Sequence, residues 1–224
     1  LEDIPREDIQ TTDIYIYEKA FTQACEFGYL KVANWLLEVK PIIYTNVCYE
    51  HAFCKACAKN LEIAKWLLKM KKTLSFHVYD KAFSTACGFG NLEIVKWLFN
   101  EKPNLDTQEA FAIACLYNHL ELAKWLYEKK PTINISVCDE KYFRDACENG
   151  HLELAKWLFS VKPTIDFSVY NHHAFRYACK MNRIEIVNWL QEVRPRKYYI
   201  EIFDNKIVNY KISQIIYSRK VNKQ

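Results

Sequence analysis

Ala146-Cys147-Glu148-Asn149-Gly150-His151-Leu152-Glu153-Leu154-Ala155-Lys156-Trp157-Leu158 decides how this chain is read, because the same phrase is written six times. All six tryptophans of the chain belong to it: Trp35, Trp66, Trp97, Trp125, Trp157 and Trp189. Each is followed by Leu. Six positions beyond each stands Pro41, Lys72, Pro103, Pro131, Pro163 or Pro195. Upstream of each comes Phe-x-x-Ala-Cys, beginning at Phe21, Phe53, Phe83, Phe111, Phe143 and Phe175. A period of about 30 residues marks a solenoid of stacked units, none able to bury its apolar face alone.

Two helices are expected in each unit. The first carries Phe, Ala and Cys at i, i+3 and i+4, one apolar stripe of a helix. It stops at Gly28, Asn60, Gly90, Asn118, Gly150 or Asn182. Gly and Asn accept a left-handed backbone, so each unit places a helix-ending residue at one point. The second helix reads like Leu152 to Leu158 and ends before Lys-Pro, because Pro cannot continue a helix. Segments such as Thr164 to Tyr170 then lead into the next unit. The second unit is one residue short at its turn, Lys59-Asn60-Leu61, and the connection from Pro103 to Phe111 is also shortened.

Composition agrees with a folded all-helical chain. Of 224 residues 50% are hydrophobic and 26% charged, too apolar for a disordered chain. Four glycines and six prolines are too few for an all-β protein. The net charge of +4, from 31 basic and 27 acidic residues, is too balanced to announce a nucleic-acid or membrane-surface protein. No apolar run is long enough to span a membrane, and no secretory pattern opens the chain. A start at Leu1 rather than Met is expected of a fragment or processed product, and leaves open whether repeats precede it.

The nine cysteines do not read as a disulfide framework. Six of them follow Ala inside the repeated phrase, so they are expected as small buried apolar residues in a reducing compartment.

The cadence of Ala146 to Leu158, with the Lys162-Pro163-Thr164-Ile165-Asp166 that follows, resembles an ankyrin repeat, and in particular the divergent ankyrin repeat proteins of giant DNA viruses of amoebae. The resemblance covers roughly residues 13–196. It implies an all-α, right-handed ankyrin-type helical solenoid of about six helix-turn-helix repeats with a C-terminal helical cap. The divisions are 1–12, a lead-in or remnant of an earlier repeat; repeats at about 13–43, 44–74, 75–105, 106–133, 134–165 and 166–196; and a cap at 197–224. The usual Thr-Pro-Leu-His is replaced by sequences such as Lys81-Ala82-Phe83-Ser84, so the fingers between repeats are expected to be loose or non-β.

Catalytic motifs are missing from the reading: there is no Gly-x-Ser-x-Gly, no His-Glu-x-x-His and no phosphate loop, and neither an enzyme nor a cofactor is expected. Cys48-x-x-His51-x-x-Cys54-x-x-Cys57 has metal-like residue types. A helix through it turns about 60° away with each three-residue step, and Cys57 is a core position, so no metal site is assigned. Glu62/Lys65, Glu93/Lys96, Glu121/Lys124 and Glu153/Lys156 read as i,i+3 pairs on the solvent side of the second helices. Lys40, Lys102, Lys130, Lys162 and Arg194 stand at helix ends, where positive charge suits the dipole, and would stack into a basic stripe.

Function is expected where residues vary against the fixed frame. After each Ala-Cys the chain carries Phe27, Lys59, Phe89, Tyr117, Asn149 or Met181 as the second residue. The resemblance implies that these, with finger residues such as Tyr49, Tyr79 and Tyr170, line a concave surface that holds a protein partner. The reading is a monomeric, non-catalytic protein–protein interaction scaffold, a viral effector acting on host proteins in the host cytoplasm, with nucleus or virion as other sites. Its alternatives are a self-assembling virion component and an anion or nucleic-acid binder using the Lys stripe.

Overall fold

Twelve α-helices occupy the described residues, which are 6–41, 46–71 and 74–193 of this computed structural model, and no strand occurs among them. In chain order they are α1 (Arg6–Phe27), α2 (Leu30–Val39), α3 (Asn46–Lys59), α4 (Leu61–Met70), α5 (Phe76–Gly88), α6 (Leu92–Glu101), α7 (Thr107–Leu116), α8 (Leu120–Lys129), α9 (Val137–Asn149), α10 (Leu152–Val161), α11 (Val169–Lys180) and α12 (Ile184–Val193). The chain is an all-α helical repeat solenoid. It divides into two compact units, Leu1–Lys130 and Pro131–Gln224. The cap expected at 197–224 lies outside the described residues.

In the first unit the odd-numbered helices form a row, α1 beside α3, α3 beside α5 and α5 beside α7. Each is paired with the even-numbered helix that follows it. In the second unit α9 lies beside α11, with α10 and α12 as their partners. The repeated phrase supplies the core of both units. Phe21, Phe53, Phe83, Phe111, Phe143 and Phe175 are all buried, as are the Ala and Cys that follow each. A fully buried ring of this kind contributes on the order of 2–3 kcal/mol. Three of the tryptophans tie one repeat to the one before it. Trp97 meets Phe53 edge-on at 6.3 Å and Trp125 meets Phe99 at 5.5 Å, while in the second unit Trp189 meets Phe143 and Phe159 at 6.2 and 6.0 Å.

The first helices end as their sequence dictates, with one correction. Gly28, Gly90, Asn118, Gly150 and Asn182 are left-handed, with φ between 57° and 89°. The next residue's N–H then reaches back to the Ala of the Ala-Cys phrase, as in Asn91 to Ala86 (3.0 Å) and His119 to Ala114 (2.8 Å), satisfying a carbonyl the helix leaves open. Asn60 is different: its φ is −124°. The missing residue of that turn is the left-handed one, so α3 runs straight to Lys59 and Asn60 precedes α4 directly.

The residue after the turn also joins neighbouring repeats. Asn60 Nδ2 donates to the Glu26 carbonyl, His119 Nε2 to the Gly88 carbonyl at 2.9 Å, and Arg183 Nε to the Glu148 carbonyl at 3.1 Å. Three different side chains thus cap the end of the preceding first helix. The bond to a carbonyl fixes His119 with its proton on Nε2. It also explains Gly90 beyond its φ of 69°, because a Cβ there would stand 2.4 Å from the His119 ring.

The thiols are core residues in their chemistry as well as their position. Eight of nine are buried and only Cys138 is exposed. Burial pushes Cys25, Cys87 and Cys179 up to about 12, Cys48 and Cys54 up to about 11, and Cys57 and Cys147 well above the ordinary thiol value. In the unfolded chain these thiols ionise near 8.5, roughly. Above that pH the unfolded chain sheds protons that the folded chain keeps, so stability falls as pH rises through this range towards the folded values. We expect a thiol reagent at pH 8 to label Cys138 alone in the folded protein and all nine in denaturant. The denaturation midpoint should drop between pH 8 and pH 10, and a midpoint constant over that range would contradict the burial.

Candidate partner-binding surface

The helix ends that carry the repeat-specific residues are rigid. Phe89 and Tyr117 follow α5 and α7 directly, and their N–H groups bond back to the Thr85 and Ile113 carbonyls at 3.2 and 3.1 Å. The backbone is therefore held while the side chain stands outside the frame. Phe27 is 60% exposed, Phe89 53% and Tyr117 59%. Lys59, also exposed, sets its ammonium 5.3 Å from the centre of the Phe89 ring. Tyr29 extends the row beside Phe27, with 6.5 Å between ring centres, and Tyr117 stacks on His119 at 6.4 Å. Large rings left in water on a fixed backbone are unusual for a folded surface and typical of binding hot spots.

Beside this row lies a hollow of about 700 Å³ across α1, α3 and α5. Its floor is made of small buried side chains, Thr22, Cys48, Cys54 and Val78. The Glu26–Lys55 ion pair, at 3.4 Å, lies on its side towards the aromatic row. His51 on its wall has its pKa lowered, first by burial and then by Lys55 and Lys81, so it is neutral at pH 7.

In the second unit the equivalent positions hold Asn149 and Met181, both exposed. Tyr170 is also exposed, with φ 49° and the Arg144 guanidinium 4.5 Å from its ring centre.

Tyr49 and Tyr79 do not belong to any surface. They are 1% and 4% exposed. Each sits one helical turn before the buried Phe of its own helix, and Tyr79 packs edge-on against Phe53 at 5.9 Å. Each is also covered by the lysine that ends the second helix of its repeat: Lys71 lies over Tyr49 at 5.4 Å and Lys102 over Tyr79 at 5.2 Å. Lys40 lies over Tyr17 in the same way at 5.5 Å. Lys40 and Lys102 of the expected basic stripe are therefore lids within their own repeats. In the second unit Lys162 performs this task on a carboxylate, binding Glu140 at 2.6 Å. Arg194 lies outside the described residues. Of the four expected i,i+3 pairs, Lys124–Glu121 and Lys156–Glu153 close at 2.9 Å.

The metal-like string on α3 is split between neighbours. Cys48 turns to the Glu18 carbonyl of α1 at 3.7 Å, and Cys54 to the Val78 carbonyl of α5 at 3.8 Å. Among the described residues no group of three or more His, Cys, Asp or Glu side chains is placed to hold a metal ion. No helix among them is long and apolar enough to cross a membrane.

The family model of ankyrin repeats matches residues 53–139, in three copies. Residues 53–139 carry ankyrin repeats. No curated protein matches the chain. Ankyrin repeats generally mediate protein–protein interaction, and ankyrin repeat proteins are typically non-catalytic interaction scaffolds. In these repeats the shared Phe, Ala, Cys, Trp and Leu are consumed by packing, which leaves the residues after Ala-Cys as the side chains free to differ.

Proposed function

We propose that this protein is a non-catalytic scaffold that holds a protein partner on the first-helix side of its repeats, with Phe27, Phe89 and Tyr117 as anchors. Lys59 serves as a polar contact beside these anchors in the first unit; in the second unit, taken by itself, Asn149, Met181 and Tyr170 are the proposed contacts. The observation that carries the reading is the exposure of three large rings on a backbone fixed by helix-end hydrogen bonds. A ring needed for the fold would be buried, as Phe53 and Phe83 are. The adjoining hollow offers relief into which a partner's side chains fit, which a flat helical surface would not provide. The resemblance to giant-virus ankyrin proteins supports a host protein as the partner and an effector role in the host cytoplasm.

The test is capture from eukaryotic lysate by the parent chain beside a Phe27→Ala/Phe89→Ala/Tyr117→Ala variant. The variant should keep its circular dichroism and lie within about 1 kcal/mol of the parent in stability, as exposed substitutions do. Its affinity for the captured partner should fall at least roughly a hundredfold, since each hot-spot ring is worth about 2 kcal/mol. A variant that unfolds would make the rings core residues. A folded variant that binds unchanged would move the site elsewhere.

A further inference from the structure

One position of the first helices separates the two units chemically. Directly after the repeated Phe stand Thr22, Cys54, Ser84 and Ala112 in the first unit, all small and uncharged. The second unit has Arg144 and Arg176 there. The chain holds seven Arg against 24 Lys, so Arg at both positions departs from its usual cation. Helices α9 and α11 lie side by side. Packed neighbours of this kind set equivalent side chains roughly 10 Å apart. Both Arg side chains are half-buried, whereas the Phe before each is buried.

Aromatic rings are interleaved with these cations. Arg144 lies over the Tyr170 ring at 4.5 Å and Lys180 over the Tyr177 ring at 5.1 Å. His173 stacks on Tyr177 at 4.0 Å, with 10° between the planes. His173 also links the two arginines. Its pKa is lowered first by burial and then by Arg144, with Arg176 acting in the same sense and Glu148 and Asp145 opposing. The carbonyls of Cys138 and Asp139 orient the Arg144 guanidinium and leave the rest of its N–H fork for another acceptor. Nearby carboxylates are partly committed. Asp145 is held by Lys141 at 2.7 Å, and Glu140 is buried against Lys162. Arg144, Arg176 and Lys180 are left facing Glu148 and the exposed Asp139, so cations outnumber acids. In the hollow of the first unit the balance is even, Lys19, Lys55 and Lys81 against Glu18, Glu26 and Glu50.

We propose that the first-helix side of the second unit binds an acidic segment of the protein partner, one carboxylate on Arg144 and another on Arg176. This rests on the scaffold reading for the partner being a protein, and adds that partner's chemistry. A guanidinium gives a carboxylate two parallel N–H bonds, which an ammonium cannot, so Arg in place of Lys favours this ligand. In an extended segment alternate side chains face one way about 7 Å apart. Two long side chains on neighbouring helices can each take one of them. Tyr170, 59% exposed, gives the segment apolar contact at the edge of the patch. A nucleic-acid strand fits less well. It is charged at every residue and would set phosphates beside Glu148 and Asp139, where a peptide can place neutral side chains.

Fluorescence anisotropy on the full chain tests the proposal with three dye-labelled probes. They are a peptide of alternating Glu and Ser, its Gln–Ser counterpart, and a thymidine oligonucleotide of equal length. The Glu–Ser peptide should bind at least roughly tenfold more tightly than the other two, and raising salt should weaken it. Arg144→Gln and Arg176→Gln should each weaken it about tenfold or more. Lys65→Gln, which removes the same charge from the exposed side of α4, should change it less than about twofold. The Phe27→Ala/Phe89→Ala/Tyr117→Ala variant should bind this peptide as the parent does. Failure here therefore leaves the scaffold reading to its own capture test. No binding of the Glu–Ser peptide up to about 1 mM would overturn the proposal. So would equal binding of the Gln–Ser peptide, an oligonucleotide that binds as tightly, or a loss as large in Lys65→Gln as in the arginine variants. Circular dichroism checks each variant. Should Arg144→Gln unfold the turn it supports, Arg176→Gln decides.

Discussion

Phe53→Ala should lower the stability of the first unit by about 3–5 kcal/mol, the range for removing a fully buried ring. Phe53 is completely buried, and both helices of the following repeat rest on it, through Tyr79 of α5 at 5.9 Å and Trp97 of α6 at 6.3 Å. Both lose their ring contact at once, and the space left cannot be filled without moving α5 or α6. Urea denaturation followed by tryptophan fluorescence reads the effect as a shift in midpoint at constant slope. A loss below about 1 kcal/mol would mean that the site collapses freely, and that the repeated Phe is not what joins one repeat to the next.

Lys162→Met should have an effect of similar size in the second unit, about 3–5 kcal/mol, for an electrostatic reason. Glu140 is 6% exposed, and its carboxylate is held by Lys162 and by Ser136 at 3.3 Å. Lys162 also donates to Ser136, closing a three-residue cluster. Removing the ammonium leaves a buried negative charge without its counter-ion. The segment it secures is conformationally strained as well: Cys138, Asp139 and Glu140 are all left-handed, with φ of 49°, 54° and 61°. Each such residue without the freedom of glycine costs about 1–2 kcal/mol. Arg144 supports the same turn by donating to the carbonyls of Asp139 and Cys138 at 3.0 and 3.1 Å. Denaturation of Lys162→Met beside Lys162→Met/Glu140→Gln separates the causes. The double variant should regain part of the loss, because the buried charge is gone. If it regains nothing, the lysine acts through its packing alone.

Much of the fold was legible in the sequence because each repeated residue answers to a single physical demand. Phe, Ala and Cys recur where one helix face must be buried, Gly or Asn where the backbone must turn left-handed, and Pro where a helix must stop. What could not be read were the positions where two demands compete. Tyr49 and Tyr79 look like finger residues because they vary among repeats and carry a hydroxyl. Their burial depends on Lys71 and Lys102, more than twenty residues away, folding back over their rings. A signal existed in the pairing of Tyr17, Tyr49 and Tyr79 with a lysine after each second helix, but it pointed equally to a solvated stripe. Asn60 shares its residue type with Asn118 and Asn182, and only the one-residue deletion beside it shows that it fills the following position instead. The aromatic row was legible as a departure from the frame. Its exposure required the structure, since a ring at a helix end can as readily fold down over the helices as stand clear of them.

The proposed function requires Phe27, Phe89 and Tyr117 to meet a partner. Hydrogen–deuterium exchange of the chain, alone and saturated with the partner it captures, tests this most directly. Exchange should slow in the turns around residues 27–30, 88–92 and 116–120, with the outer sides of α4, α6 and α8 unchanged. Protection confined to those second helices, with the three turns exchanging as in the free protein, would contradict it.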